Sequence, residues 1–166
     1  MDFEVIKSNK RRKTVYAKII EGKLYIYLPE GLCEHEEKKW VDKMLMWAED
    51  QKKKRELNDS TNLEKLSEKL NREYLGGRAK WASIEYVSNQ KRIFGSCSVK
   101  SGEIRISDKL AKMPDWVRDY VVLHELAHLI YPDHSKPFWR LVNQYRLTER
   151  ARGYLMAVHL EQDEAK

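Results

Sequence analysis

An α+β fold is what this sequence predicts, on three observations. The first thirty residues alternate apolar and polar in short β-rich runs. Residues 34–56 and 61–74 then carry apolar side chains at helical spacing. Beyond residue 80, short strands precede an apolar helix that contains His124-Glu125-Leu126-Ala127-His128. At 166 residues the chain is long enough to bury a core. The expectation is one domain, 1–166, made of N-terminal strands (1–31), a helical pair (34–77) and a metal-binding core (80–160).

Phe3 to Ile6 reads as a short strand. Thr14 to Ile20 and Lys23 to Leu28 flank Glu21-Gly22, a hairpin signal, and Pro29 and Gly31 close the unit. Lys10-Arg11-Arg12-Lys13 falls at the turn between the first two strands, where solvation explains it without a phosphate ligand. In the helix over 34–56, Trp40, Val41, Met44, Leu45, Trp47 and Ala48 form one core stripe, and His35 is solvated. Lys52-Lys53-Lys54-Arg55 suits the end of that helix, where cations favour the dipole.

Thr61-x-x-Glu64 reads as a capping box for a helix through Tyr74, with Leu63, Leu66, Leu70 and Tyr74 on its apolar face. Gly76-Gly77 stop it. Ser83 to Val87 and Glu103 to Ile106 read as strands, with Gly95-Ser96-Cys97-Ser98 between them. Pro114 suits a first helical position, and Asp115 and Asp119 favour the positive helix end. From Trp116 to Tyr131 the helix is apolar nearly all round, hence buried. Phe138, Trp139, Leu141, Val142 and Tyr145 continue as a packed helix, and Thr148 caps a last helix running to about Leu160. His159 there reads as a surface or packing residue.

Buried histidines and a buried glutamate need partners, and a metal satisfies all three. Residues i and i+4 share one helix face, so His124 and His128 can each give a nitrogen to one zinc ion. Glu125 lies about 100° around the helix, beside the metal rather than on it, where a general base belongs. The bland alternative is a chance match with satisfied core histidines. A catalytic zinc needs a third protein ligand and one open position. Pro132 turns the chain after the helix, so His134 can fold back to the metal, with Glu149 as the rival ligand.

Arg92-Ile93-Phe94-Gly95-Ser96-Cys97-Ser98, Glu103-Ile104-Arg105-Ile106-Ser107, Tyr120 to His128, and His134-Ser135-Lys136-Pro137-Phe138-Trp139 together resemble the YgjP-like metallopeptidase family. That family is close to the WLM and SprT-like groups of zincins. The resemblance is dense over residues 80–145 and looser before them. It departs where the family's Arg-Trp before Gly-Ser-Cys is Ile93-Phe94 here, with Arg92 one place early. The resemblance implies a zincin-like fold and a zinc site on His124, His128 and His134, with Glu125 as catalytic base. In zincins the strand beside the metal helix often binds an extended peptide at the sheet edge. Gly95, Ser96 and Cys97 are therefore expected to line the substrate cleft, with Arg92 and Arg105 as further substrate contacts. Tyr131, Tyr145 and Tyr154 are the candidates for stabilising an oxyanion. Nickel, cobalt and manganese can occupy similar imidazole sites.

The formal charge is +6, from 32 Lys and Arg against 26 Asp and Glu. Residues 61–113 hold 11 of the cations against 6 acidic residues. This middle segment could attract a nucleotide or nucleic acid, although a solvated surface explains it as well. Three functions follow: a zinc peptidase acting on an unknown protein or peptide, a metal-dependent nucleotide phosphohydrolase using Arg72, Arg78, Lys80, Lys91, Arg92 and Arg105, or a DNA-associated protease like the SprT and WLM groups. There is no signal peptide and no apolar run of membrane length, and Cys33 and Cys97 read as free thiols. A cytoplasmic protein without membrane contact is the expectation.

Overall fold

Among the described residues of the computed structural model lie two small mixed sheets and five α-helices, the α+β class expected. The structure describes the chain except Met1, residues 10–13, Thr61, Lys91 and residues 165–166, and except the side chains of Ser60 and residues 160–164. The basic run 10–13 therefore lies outside the described residues. By internal contacts the chain divides into two compact units, Met1–Arg55 and Glu56–Lys166.

In the first unit, strands β1 (Phe3–Ser8), β2 (Tyr16–Ile20) and β3 (Lys23–Pro29) form a sheet in the order β1-β3-β2. The hairpin between β2 and β3 forms where expected, because Glu21 and Gly22 both take the left-handed backbone a tight hairpin turn requires, at φ 48° and 82°. β1 crosses over to pair parallel with β3. Helix α1 (Glu34–Ser60) opens with Glu36 accepting a hydrogen bond from the Cys33 N–H at 3.1 Å. Leu24, Ile26, Leu28 and Ala48 are fully buried, with Trp40, Val41, Met44 and Leu45 packed against them. Trp47 leaves this stripe and stands 38% exposed, since it lies about 100° around the helix from Ala48.

α1 does not end at the basic run 52–55 but continues to Ser60. Its extra residues find partners within the second unit. The Asn58 amide donates to the Tyr86 carbonyl at 3.2 Å and accepts from the Tyr86 N–H at 2.7 Å. Helix α2 (Leu63–Tyr74) is capped by Asn62, whose side chain accepts from the Lys65 N–H. Thr61, the expected cap, lies outside the described residues. Gly76 and Gly77 stop α2 at φ 62° and 72°, and the Gly77 N–H donates back to the Asn71 carbonyl.

Strands β4 (Ser83–Val87), β5 (Gly95–Ser98) and β6 (Glu103–Ser107) form the second sheet in the order β4-β6-β5. β4 runs parallel and β5 antiparallel to β6. Tyr86, Ile104 and Ile106 on its inner face are fully buried. A 3₁₀ turn over Asp108–Lys112 leads to α3 (Asp115–His128), which Pro114 precedes as the N-cap rather than as the first helical residue. Val117, Val122, Leu123, Leu126 and Ala127 of α3 are fully buried. α4 (Lys136–Val142) follows Ser135 at its N-cap. α5 (Thr148–Glu164) begins at Thr148 itself and runs past Leu160. The Thr148 hydroxyl donates to the carbonyls of Val142 and Tyr145 instead of accepting at a cap, tying α5 to the end of α4.

Candidate metal centre

α3 and the turn after it bring three imidazoles together. His124 and His128 lie one turn apart, and the chain ends its helix at His128 and reverses through Pro132. His134 returns to place its Nε2 3.0 Å from Nε2 of His124. One ring nitrogen from each of the three histidines lies within 4.8 Å of the others. Nitrogens on a single tetrahedral zinc at roughly 2.0–2.1 Å stand about 3.4 Å apart, so this set fits one ion after small adjustments. The Tyr131 carbonyl lies 3.4 Å from Nδ1 of His128, which leaves Nε2 of that ring free to face the others.

Electrostatics suit the same role. Burial, the neighbouring His128 and His134 rings and the Arg152 charge push His124 down to about 3, so at neutral pH its ring is uncharged. Burial and His134 also lower His128. Neutral imidazoles are what a cation binds.

Phe138 of α4 is the floor. Fully buried, it stacks on His128 with ring centroids 4.6 Å apart and presents its face or edge to His124 and His134 at 4.8 and 4.9 Å. Trp139 stacks on His134 at 5.4 Å and 19°. Tyr120, one turn before His124 on α3, lies 5.9 Å from its ring.

Glu125 is 7% exposed, and burial pushes its carboxyl up to about 8. It is seated against β5. A methyl group at Gly95 would stand 2.6 Å from Oε1 of Glu125 and 2.8 Å from its Cγ. Gly95 and Cys97 pair with the buried Ile106 and Ile104, so both face inward towards α3. Burial first and the Glu125 charge second push the Cys97 thiol up to about 11.

The other sequence-derived positions scatter. Ser96 pairs with Arg105 on the outer sheet face. There Gln90 donates to the Ser96 hydroxyl at 2.8 Å, and Arg105 donates to Asn89 at 2.8 Å. Arg92 is exposed ahead of β5. Glu149 is exposed and paired with Arg152 at 2.9 Å, and it does not join the histidine group. Tyr145 donates its hydroxyl to the Trp116 carbonyl, and Tyr154 packs edge-on against the Trp116 ring. Trp116 lies eight residues before His124, about 12 Å along the helix. Tyr131 contributes its carbonyl. Tyr120 was legible from its i−4 spacing to His124, whereas Arg152 reaches the centre only through tertiary packing.

Residues 77–148 match the YgjP-like, metallopeptidase domain family. The match covers the second sheet, α3 and α4, including all four residues of the His124, Glu125, His128 and His134 set. A solved structure, the metallopeptidase zymogen of Pyrococcus abyssi abylysin, is 28% identical with a TM-score of 0.48, over 55% of this chain and 86% of that one. No curated protein matches the chain. Among the described residues, no helix is long and apolar enough to cross a membrane.

Proposed function

We propose that this protein is a zinc-dependent peptidase in which His124, His128 and His134 hold one ion and Glu125 is the general base. The observation that carries this reading is the convergence of three imidazole nitrogens within 4.8 Å, beside a carboxylate buried on the next position of the same helix. The family match over residues 77–148 supports peptide hydrolysis as the chemistry. A dication on the imidazoles would polarise a carbonyl, acidify a water and favour the ionised form of Glu125.

Glu125 then accepts the proton of the attacking water and passes it to the departing amine. Its closeness to β5 brings that carboxylate to the strand along which an extended peptide would lie. β4, at the opposite edge, has its outward Tyr86 groups held by Asn58. β5 is thus the edge suited to receive substrate backbone.

Elemental analysis and cleavage of denatured casein by zinc-loaded protein test this reading together. Glu125→Gln should keep about one zinc per chain while turnover falls roughly 10²–10⁴-fold. His134→Ala should lose the metal and Glu149→Ala should keep it. Zinc retained in His134→Ala would remove the three-histidine site. Chelator-sensitive phosphate release from nucleoside triphosphates, without peptide cleavage, would replace the peptidase reading.

A further inference from the structure

Arg152 stands on α5 beside the histidine centre and has no part in holding a metal or moving a proton. Its guanidinium carbon lies 4.9 Å from the centre of the Trp139 ring, and Trp139 in turn stacks on His134 at 5.4 Å and lies 5.9 Å from His124. The side chain is held without being hidden, since 37% of it is exposed. Its salt bridge is to Glu149, three residues earlier on α5 and 77% exposed. Such a surface pair contributes little and exchanges readily for another carboxylate.

A guanidinium held over an indole is preoriented, and its planar fork matches a carboxylate. Zinc on the three imidazoles would be engaged with the carbonyl and water of the bond that is cut, so a carboxylate beside that bond finds a separate cation at Arg152. We infer that Arg152 is a carboxylate-binding subsite, which directs this protein to peptides carrying a negative charge beside the bond that is cut. The inference rests on the peptidase reading. The carboxylate can come from an Asp or Glu side chain or from the peptide's own C-terminus.

Peptide hydroxamates binding the zinc-loaded protein separate these sources. Three probes suffice: an amidated probe with Asp beside the hydroxamate, the same probe with Asn, and the Asn probe with a free C-terminal carboxylate. Affinities are read by calorimetry on wild type, Arg152→Gln and Arg152→Lys. One of the two carboxylate probes should bind about five- to tenfold more tightly than the neutral amide to wild type. Arg152→Gln should abolish that preference, Arg152→Lys should keep part of it, and the affinity for the neutral probe should stay the same in all three. Equal binding of all probes to wild type overturns the subsite while leaving the metal site standing. A preference that survives in Arg152→Gln also overturns it, as does a uniform loss for every probe, which would mark Arg152 as structural. No hydroxamate binding by zinc-loaded wild type would instead remove the peptidase reading and the subsite with it.

Discussion

Glu125 carries a carboxylate into the interior, seated against Gly95 of β5. Without metal, burial holds its proton up to about 8, against an ordinary value of 4.5. Between those values the unfolded chain has released a proton that the folded chain keeps, so folding stability falls as pH rises through that window. Glu125→Gln has no charge to bury. Its metal-free thermal midpoint should equal wild type at pH 4 and exceed it at pH 8.5, a gap worth on the order of a few kcal/mol. His124, pushed down to about 3, acts oppositely, losing stability as pH falls from its ordinary value of 6.5 towards 3. Because it is present in both proteins, it cancels in the comparison. Gly95 is a glycine because of Glu125: added methyl and carboxylate would stand 2.6 Å apart. Gly95→Ala should cost about 1–3 kcal/mol in wild type. In a Glu125→Ala background, where the space is vacated, it should cost far less, which a denaturation double-mutant cycle reads directly. His124, Glu125 and His128 were legible because one helical turn fixes their geometry, and His134 because Pro132 forces a reversal. The seat at Gly95 was not, since it depends on which strand lies against α3.

At the scale of elements, β5 and the end of α1 were hardest to read. Gly-Ser-Cys-Ser has no β-branched residue, and it becomes a strand only because β6 offers it a ladder. α1 outruns its basic stretch because Asn58, three residues beyond Arg55 and a poor helix former by itself, closes on both outward groups of Tyr86. Replacing Asn58 by Ala should therefore leave a strand amide and carbonyl without those bonds. A loss of about 1–3 kcal/mol and faster hydrogen exchange at the Tyr86 amide are the expected outcome. The hairpin at Glu21-Gly22 was legible because only left-handed backbone closes so short a turn, whereas the crossover of β1 to β3 leaves no mark in either strand.

At the scale of the molecule, the described residues form two hydrophobic clusters, one around Leu24, Ile26 and Leu28 and one around α3. Neither composition nor length reports where apolar residues segregate, so these two clusters could not be read from them. All three metal-ligating candidates belong to the second unit. Zinc should thus raise only one of two calorimetric transitions, by an amount set by its concentration over its dissociation constant. A single transition that moves as a whole would mean that the two units unfold together.

The two cysteines are chemically unlike. Cys97 faces inward with its thiol pushed up to about 11, while Cys33 is exposed just ahead of α1. Thiolate, not thiol, reacts with maleimides. At neutral pH a fluorophore should therefore attach to Cys33 alone, giving this protein a native single-site label that leaves the inner face of β5 untouched.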